Sequence, residues 1–160
     1  MEIYILRHGI AEDEKPGTPD PRRALTKEGR EKLESVLKRA ADAGVKPTAI
    51  LTSPYLRAVQ TAEIAARILK HEADAIRTDS LVPGSSPEAI WNDIRAHRTE
   101  EQLLLAGHEP LLSHLTTYLL NAPSLRVEFK KGALVRIDVE GFRGDPHGVL
   151  KWMLTPKLAK

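Results

Sequence analysis

Apolar positions fall into short blocks separated by helical patterns. Ile3, Tyr4, Ile5 and Leu6 form a compact run that ends in Arg7-His8-Gly9, the signature of a buried strand delivering polar residues at its tip. Similar runs follow at Ala49–Thr52 and Gln102–Ala106. Between them Thr26 is placed to cap a helix running to about Ala43, with Gly44 at its carboxyl end. Ser53-Pro54 opens a second helix with Pro54 in its first turn, and Ala58, Ala62, Ala65 and Leu69 recur along it at helical spacing. Ser86-Pro87-Glu88 repeats that device before Ile90 and Ile94. A fourth helix starts near Pro110 and carries Leu112, Leu115 and Leu119.

Strands alternating with helical crossovers predict an α/β fold, a three-layer α/β/α sandwich around a mainly parallel sheet. The last third reads differently. Val135, Ile137 and Val139 alternate with Arg136 and Asp138, and the turn-rich stretch Gly141–Gly148 leads to Val149–Leu154, so an antiparallel C-terminal edge pair is expected. Asp79 is expected to end a strand. The segment Glu12–Pro21 reads as a mobile loop at the rim of a pocket. With 160 residues and no linker, repeat or low-complexity tract, residues 1–160 are expected to form one domain.

Composition narrows the function classes. Zero cysteines exclude a disulfide frame, a thiol nucleophile and Cys-ligated zinc, and fit a reducing, cytoplasmic setting. Met1 to Arg7 lack a secretion-signal pattern, and no apolar run approaches the roughly 18 residues of a membrane span. A net charge of +2 favours acidic ligands only weakly. A nucleic-acid-binding domain is the reading suggested by the pI near 8.9. Against it, basic residues are scattered among acids, and only 4% of residues are aromatic and able to stack on bases.

Open α/β sheets place ligands beyond the carboxyl ends of their strands. Three such ends here carry related chemistry: Arg7-His8-Gly9, the Ser53-Pro54 turn leading to Arg57, and Gly107-His108-Glu109-Pro110. Two arginines and two histidines converging there suit a phosphoryl group. Arginine offers a planar fork of donors to phosphate oxygens, and a neutral imidazole attacks phosphorus without help from a metal. A metal held by His8 and His108 would be repelled by the neighbouring arginines, so neither metal nor cofactor is expected.

These blocks, Leu6-Arg7-His8-Gly9, Ser53-Pro54-Tyr55-Leu56-Arg57-Ala58-Val59-Gln60-Thr61 and Gly107-His108-Glu109-Pro110, resemble the histidine phosphatase superfamily in kind and order. Arg23-Ala24-Leu25-Thr26-Lys27-Glu28-Gly29, Leu81-Val82-Pro83 and Phe129-Lys130-Lys131-Gly132-Ala133-Leu134 look most like SixA-type phosphohistidine phosphatases. The resemblance implies a phosphoglycerate mutase-like fold. It makes His8 the phosphorylated nucleophile, with Arg7, Arg57 and His108 catalytic and binding the phosphoryl oxygens. Ser53 and Arg23 are secondary candidates for phosphate contact. Ser53 is equally accounted for by capping, and Arg23 by a solvated loop charge.

Larger members of this superfamily carry a Glu or Asp after the third strand, which protonates an alcohol leaving group. Ser80–Pro87 contains no carboxylate. Asp79, Glu88 and Glu109 are the weak substitutes. Imidazole leaves phosphorus more easily than an alkoxide does, so the gap points to phosphohistidine on a protein. The alternative within the superfamily is a small phosphomonoester or a mutase substrate. A short chain leaves little material for cap insertions, so a shallow pocket open to a phosphoprotein partner is expected, on a monomer. Lys130 and Lys131 read as solvated surface charge, as do the remaining histidines as packing or surface groups.

Overall fold

The computed structural model describes residues 1–160. Its strands are β1 (Glu2–Arg7), β2 (Ala49–Thr52), β3 (Ile76–Arg77), β4 (Gln102–Gly107), β5 (Leu134–Asp138) and β6 (Val149–Leu154). Its helices are α1 (Lys27–Asp42), α2 (Leu56–Ile68), α3 (Pro87–Ala96) and α4 (Leu111–Leu119). The strands form one six-stranded sheet in the order β3-β2-β4-β1-β5-β6. The first four are mutually parallel, β5 runs antiparallel to β1, and β6 antiparallel to β5. This is the α/β sheet with an antiparallel edge pair that the hydrophobic pattern predicts.

Successive side chains of a strand point to opposite faces, so β1 feeds two cores at once. Ile3 and Ile5 join Leu103, Leu105 and Val135 beneath the apolar faces of α3 and α4. Tyr4 and Leu6 join Leu104, Ala106 and Ile50 beneath α1 and α2. All four β1 side chains are at most 1% exposed. A near-continuous apolar strand is what burial on both faces requires.

Local chemistry sets most helix ends. Thr26 Oγ1 accepts the Gly29 N–H at 2.9 Å to start α1, and Gly44 takes φ +85° just beyond its end, where a side chain would be strained. Ser86 Oγ accepts the Ala89 N–H at the start of α3. Two boundaries differ from expectation. Pro54 lies outside α2, which begins at Leu56, because the Ser53 hydroxyl bonds the Tyr55 N–H and a histidine and leaves the Ser-Pro pair in a turn. Asp79 does not end a strand. β3 stops at Arg77, and Asp79 opens a one-turn 3-10 helix to Leu81, started by the Thr78 hydroxyl accepting the Ser80 N–H. That turn swings Leu81 into the core, where it is fully buried.

The Glu12–Pro21 segment is exposed over Glu12–Gly17 but anchored at both ends: Ala11 bridges Leu25, and Asp20–Arg22 form a 3-10 turn. No helix is long and apolar enough to cross a membrane.

Candidate active site

The parallel strands β1, β2 and β4 all end on one side of the sheet, and the polar residues at their tips meet there. Arg7 ends β1 opposite Gly107 of β4, and the His8 N–H donates to the Gly107 carbonyl at 3.0 Å. Close backbone packing then fixes the chain beyond. A Cβ on Gly29 would sit 2.3 Å from the Ile10 carbonyl oxygen, and one on Gly9 would sit 2.7 Å from Leu33 Cδ1. Bare backbone at both positions therefore lets α1 press directly on the loop carrying His8. From the other side Thr61 of α2 accepts the Gly9 N–H at 3.2 Å.

His8 is 7% exposed. Its Nδ1 lies 2.7 Å from the Gly9 carbonyl oxygen, which can only accept, so Nδ1 carries the ring proton. Nε2 is thereby left with a free lone pair, which accepts from Arg57 Nε–H at 3.3 Å. Burial, reinforced by the charges of Arg57, Arg7 and Lys131, lowers the His8 pKa to about 4, so the ring is neutral near pH 7. A neutral imidazole with its distal nitrogen unprotonated is the form that attacks phosphorus.

Arg57 is 4% exposed in the first turn of α2. Nη1 donates to the Asp20 carbonyl at 2.9 Å and Nη2 to Asp20 Oδ2 at 3.3 Å, which aims Nε at His8. Arg23 holds the other carboxylate oxygen, Oδ1, with Nε at 2.8 Å, and also donates to the Glu12 carbonyl. Asp20 thus clamps one arginine to another, and their charges keep its carboxyl below its usual range despite opposing desolvation. Tyr55 completes the wall, with the Arg57 guanidinium 5.2 Å from its ring centroid.

His108 is 1% exposed, with its ring centroid 5.1 Å from that of His8. Ser53 Oγ accepts the Tyr55 N–H at 3.2 Å and shares a hydrogen bond of 2.7 Å with His108 Nε2. The His108 Nδ1 is buried without a partner. Burial, followed by the His8 and Arg57 charges, lowers the His108 pKa to about 3. Arg7 repeats the pattern: Nη1 donates to the Phe129 carbonyl at 2.7 Å, while the buried Nε bonds nothing. Two buried nitrogens without partners, beside two guanidinium groups, form a cradle suited to an anion with several oxygens.

The structure thus brings together Arg7, His8, Arg57 and His108, and joins Ser53 to them through His108. Arg23 stands one step back, touching Asp20 instead of the cleft. Asp79 and Glu88 lie exposed, one in the 3-10 turn and the other in the first turn of α3, with no hydrogen bond to the cradle. Glu109 is closer. Its charge supports that of Arg7, and its Oε1 accepts the Ser113 N–H at 2.6 Å inside α4. No three His, Asp or Glu side chains gather as a metal site. Sequence reasoning missed Asp20 and Tyr55. Asp20 sits in an acid- and proline-rich loop where one more carboxylate carries no signal, and Tyr55 lay unremarked inside the Ser53–Thr61 block.

The histidine phosphatase superfamily (branch 1) family model matches residues 3–81. An uncharacterized protein of Picosynechococcus sp. is 38% identical over 113 residues, which span 69% of this chain and 67% of that protein. The protein histidine phosphatase SixA, solved with tungstate, superposes with a TM-score of 0.88 over 100% of both chains at 23% identity. A candidate phosphohistidine phosphatase SixA from Agrobacterium tumefaciens gives 0.80 at 25% identity, over 97% of this chain and 98% of that one. The fold is therefore the phosphoglycerate mutase-like one. With the family match covering the strand, turn and helix that carry His8 and Arg57, this chain belongs to the histidine phosphatase superfamily.

Proposed function

We propose that the chain is a phosphatase that removes the phosphoryl group from phosphohistidine on a protein, by way of a covalent phosphohistidine on His8. The observation that carries the choice of substrate is the state of the two carboxylates near the cradle. Asp20 is held as an anion between Arg57 and Arg23, and Glu109 is engaged with the α4 backbone. Asp20 is therefore not poised to hand a proton to an alkoxide, and Glu109 spends one oxygen on helix α4. A phosphohistidine whose distal nitrogen is protonated needs no such proton, because its ring departs as neutral imidazole.

In the first step the His8 Nε2 lone pair forms the N–P bond as the substrate's P–N bond breaks. Arg7, Arg57 and His108 take the phosphoryl oxygens, whose charge they meet with fixed donors in a water-poor site. His8 keeps its Nδ1 proton on the Gly9 carbonyl, so the phosphorylated ring is cationic and itself a good leaving group. Water then attacks phosphorus, the Nε2–P bond breaks, and the ring returns neutral while the water's protons stay with phosphate and solvent.

Trapping tests this reading. Incubation with a histidine-phosphorylated protein should leave acid-labile, base-stable phosphate on His8, located by intact-mass and fragment analysis and absent in His8→Ala. Turnover of a phosphomonoester equal to or faster than that of a phosphohistidine peptide would instead favour a small-molecule phosphatase.

A further inference from the structure

Arg7 also lines a groove of about 730 Å³ whose charges are unbalanced. Arg7, Lys32, Lys130, Lys131 and Lys157 face it against one carboxylate, Glu128. With Glu28, which pairs Lys32 from just outside the groove, the local excess is three positive charges; that still exceeds the +2 of the whole chain, so the remaining residues are net acidic. Lys32 and Lys130 are neutralised by Glu28 and Glu128, at 2.8 and 2.7 Å, whereas Lys131 and Lys157 have no carboxylate within ion-pair distance. The segment carrying Lys130 and Lys131 is fixed to the catalytic strand, because the Gly132 N–H donates to the Arg7 and His8 carbonyls. Its backbone therefore holds a set position beside His8, from which the two lysines reach into solvent.

Resting on the phosphohistidine reading above, we propose that this groove docks an acidic face of the phosphoprotein substrate, next to the phosphorylated side chain held at His8. The lining fits a protein better than a second small anion. Its lysines are long, solvated and spread around a space many times the size of a phosphate, while Ile10, Met153 and Pro156 supply apolar floor between them. Carboxylates on a partner's helix or loop meet such spaced charges, and its side chains cover the floor. Complementary fields of this kind act mainly by steering encounter, so the effect falls on kcat/KM and fades with salt.

The test is the double variant Lys130→Glu/Lys157→Glu, which leaves the cradle intact. Its kcat/KM is compared with the wild type's on two probes at low and high salt: a small acidic protein phosphorylated on histidine, and free phosphohistidine. The expected result is a loss of about tenfold or more on the protein at low salt, shrinking as salt rises, with free phosphohistidine unchanged within about twofold. An unaltered rate on the protein, or an equal loss on both probes, would overturn the groove while leaving the reaction in place. Wild-type enzyme inert toward both probes yet active on a phosphomonoester would remove the phosphohistidine reading and the docking proposal with it.

Discussion

Acid should weaken this fold through the two rings of its cleft. In the unfolded chain each imidazole takes a proton near pH 6.5, but in the folded one His8 does so only at about 4 and His108 at about 3. Both values are depressed, so the unfolded state binds more protons between these limits. The stability is fully present above pH 6.5 and is lost as pH falls through the folded values. At pH 5 each ring alone favours unfolding by about 2 kcal/mol relative to neutrality. Part of the His108 depression is the charge of His8, so the pair together contributes roughly 3–4 kcal/mol. That is a large share of the 5–15 kcal/mol typical of a domain. Urea midpoints at several pH values between 5 and 7.5 measure it, comparing wild type with His8→Gln/His108→Gln, whose side chains cannot charge. The wild type should lose stability steeply toward pH 5 while the variant stays nearly flat. Parallel curves would refute the claim that both rings are buried neutral.

Three further outcomes follow from the same geometry. Arg57→Ala should lower turnover more than tenfold, since a charge-assisted contact to the transition state contributes roughly 2–4 kcal/mol; steady-state kinetics at saturating substrate check it. Ser53→Ala strips His108 Nε2 of its only partner, and at about 1–3 kcal/mol for an orphaned buried group should cut kcat by about tenfold, with Ser53→Thr restoring most of it. Gly29→Ala forces a methyl group against the Ile10 backbone and should cost about 1–3 kcal/mol of stability together with activity, read from denaturant midpoints and rates on one preparation.

The sheet was legible because burial on two faces leaves a plain mark: apolar runs of four to six residues separated by helices with Thr26, Ser86 and Gly44 at their ends. The cradle was legible because strand tips carry short blocks of unusual residues, with no long-range information needed. What escaped was tertiary. Pro54 falls outside α2 because Ser53 serves His108, a partner 55 residues away in the chain. Asp79 turns out of the sheet because Leu81 is drawn into the core. Asp20 clamps Arg57 across 37 residues, and nothing in its own neighbourhood marks it. Lys130 and Lys131 read as ordinary surface charge until the fold sets them beside Lys32 and Lys157.

The group that orients the His8 ring is the main-chain oxygen of the very next residue. No codon change deletes a peptide carbonyl, so this part of the machinery is shielded from point mutation in a way that an orienting aspartate or glutamate is not. Changes in the neighbouring side chains leave the ring's proton in the same place, provided the loop backbone retains its path. Only chemical synthesis reaches that atom, for instance by exchanging the oxygen at Gly9 for sulfur, a weaker acceptor.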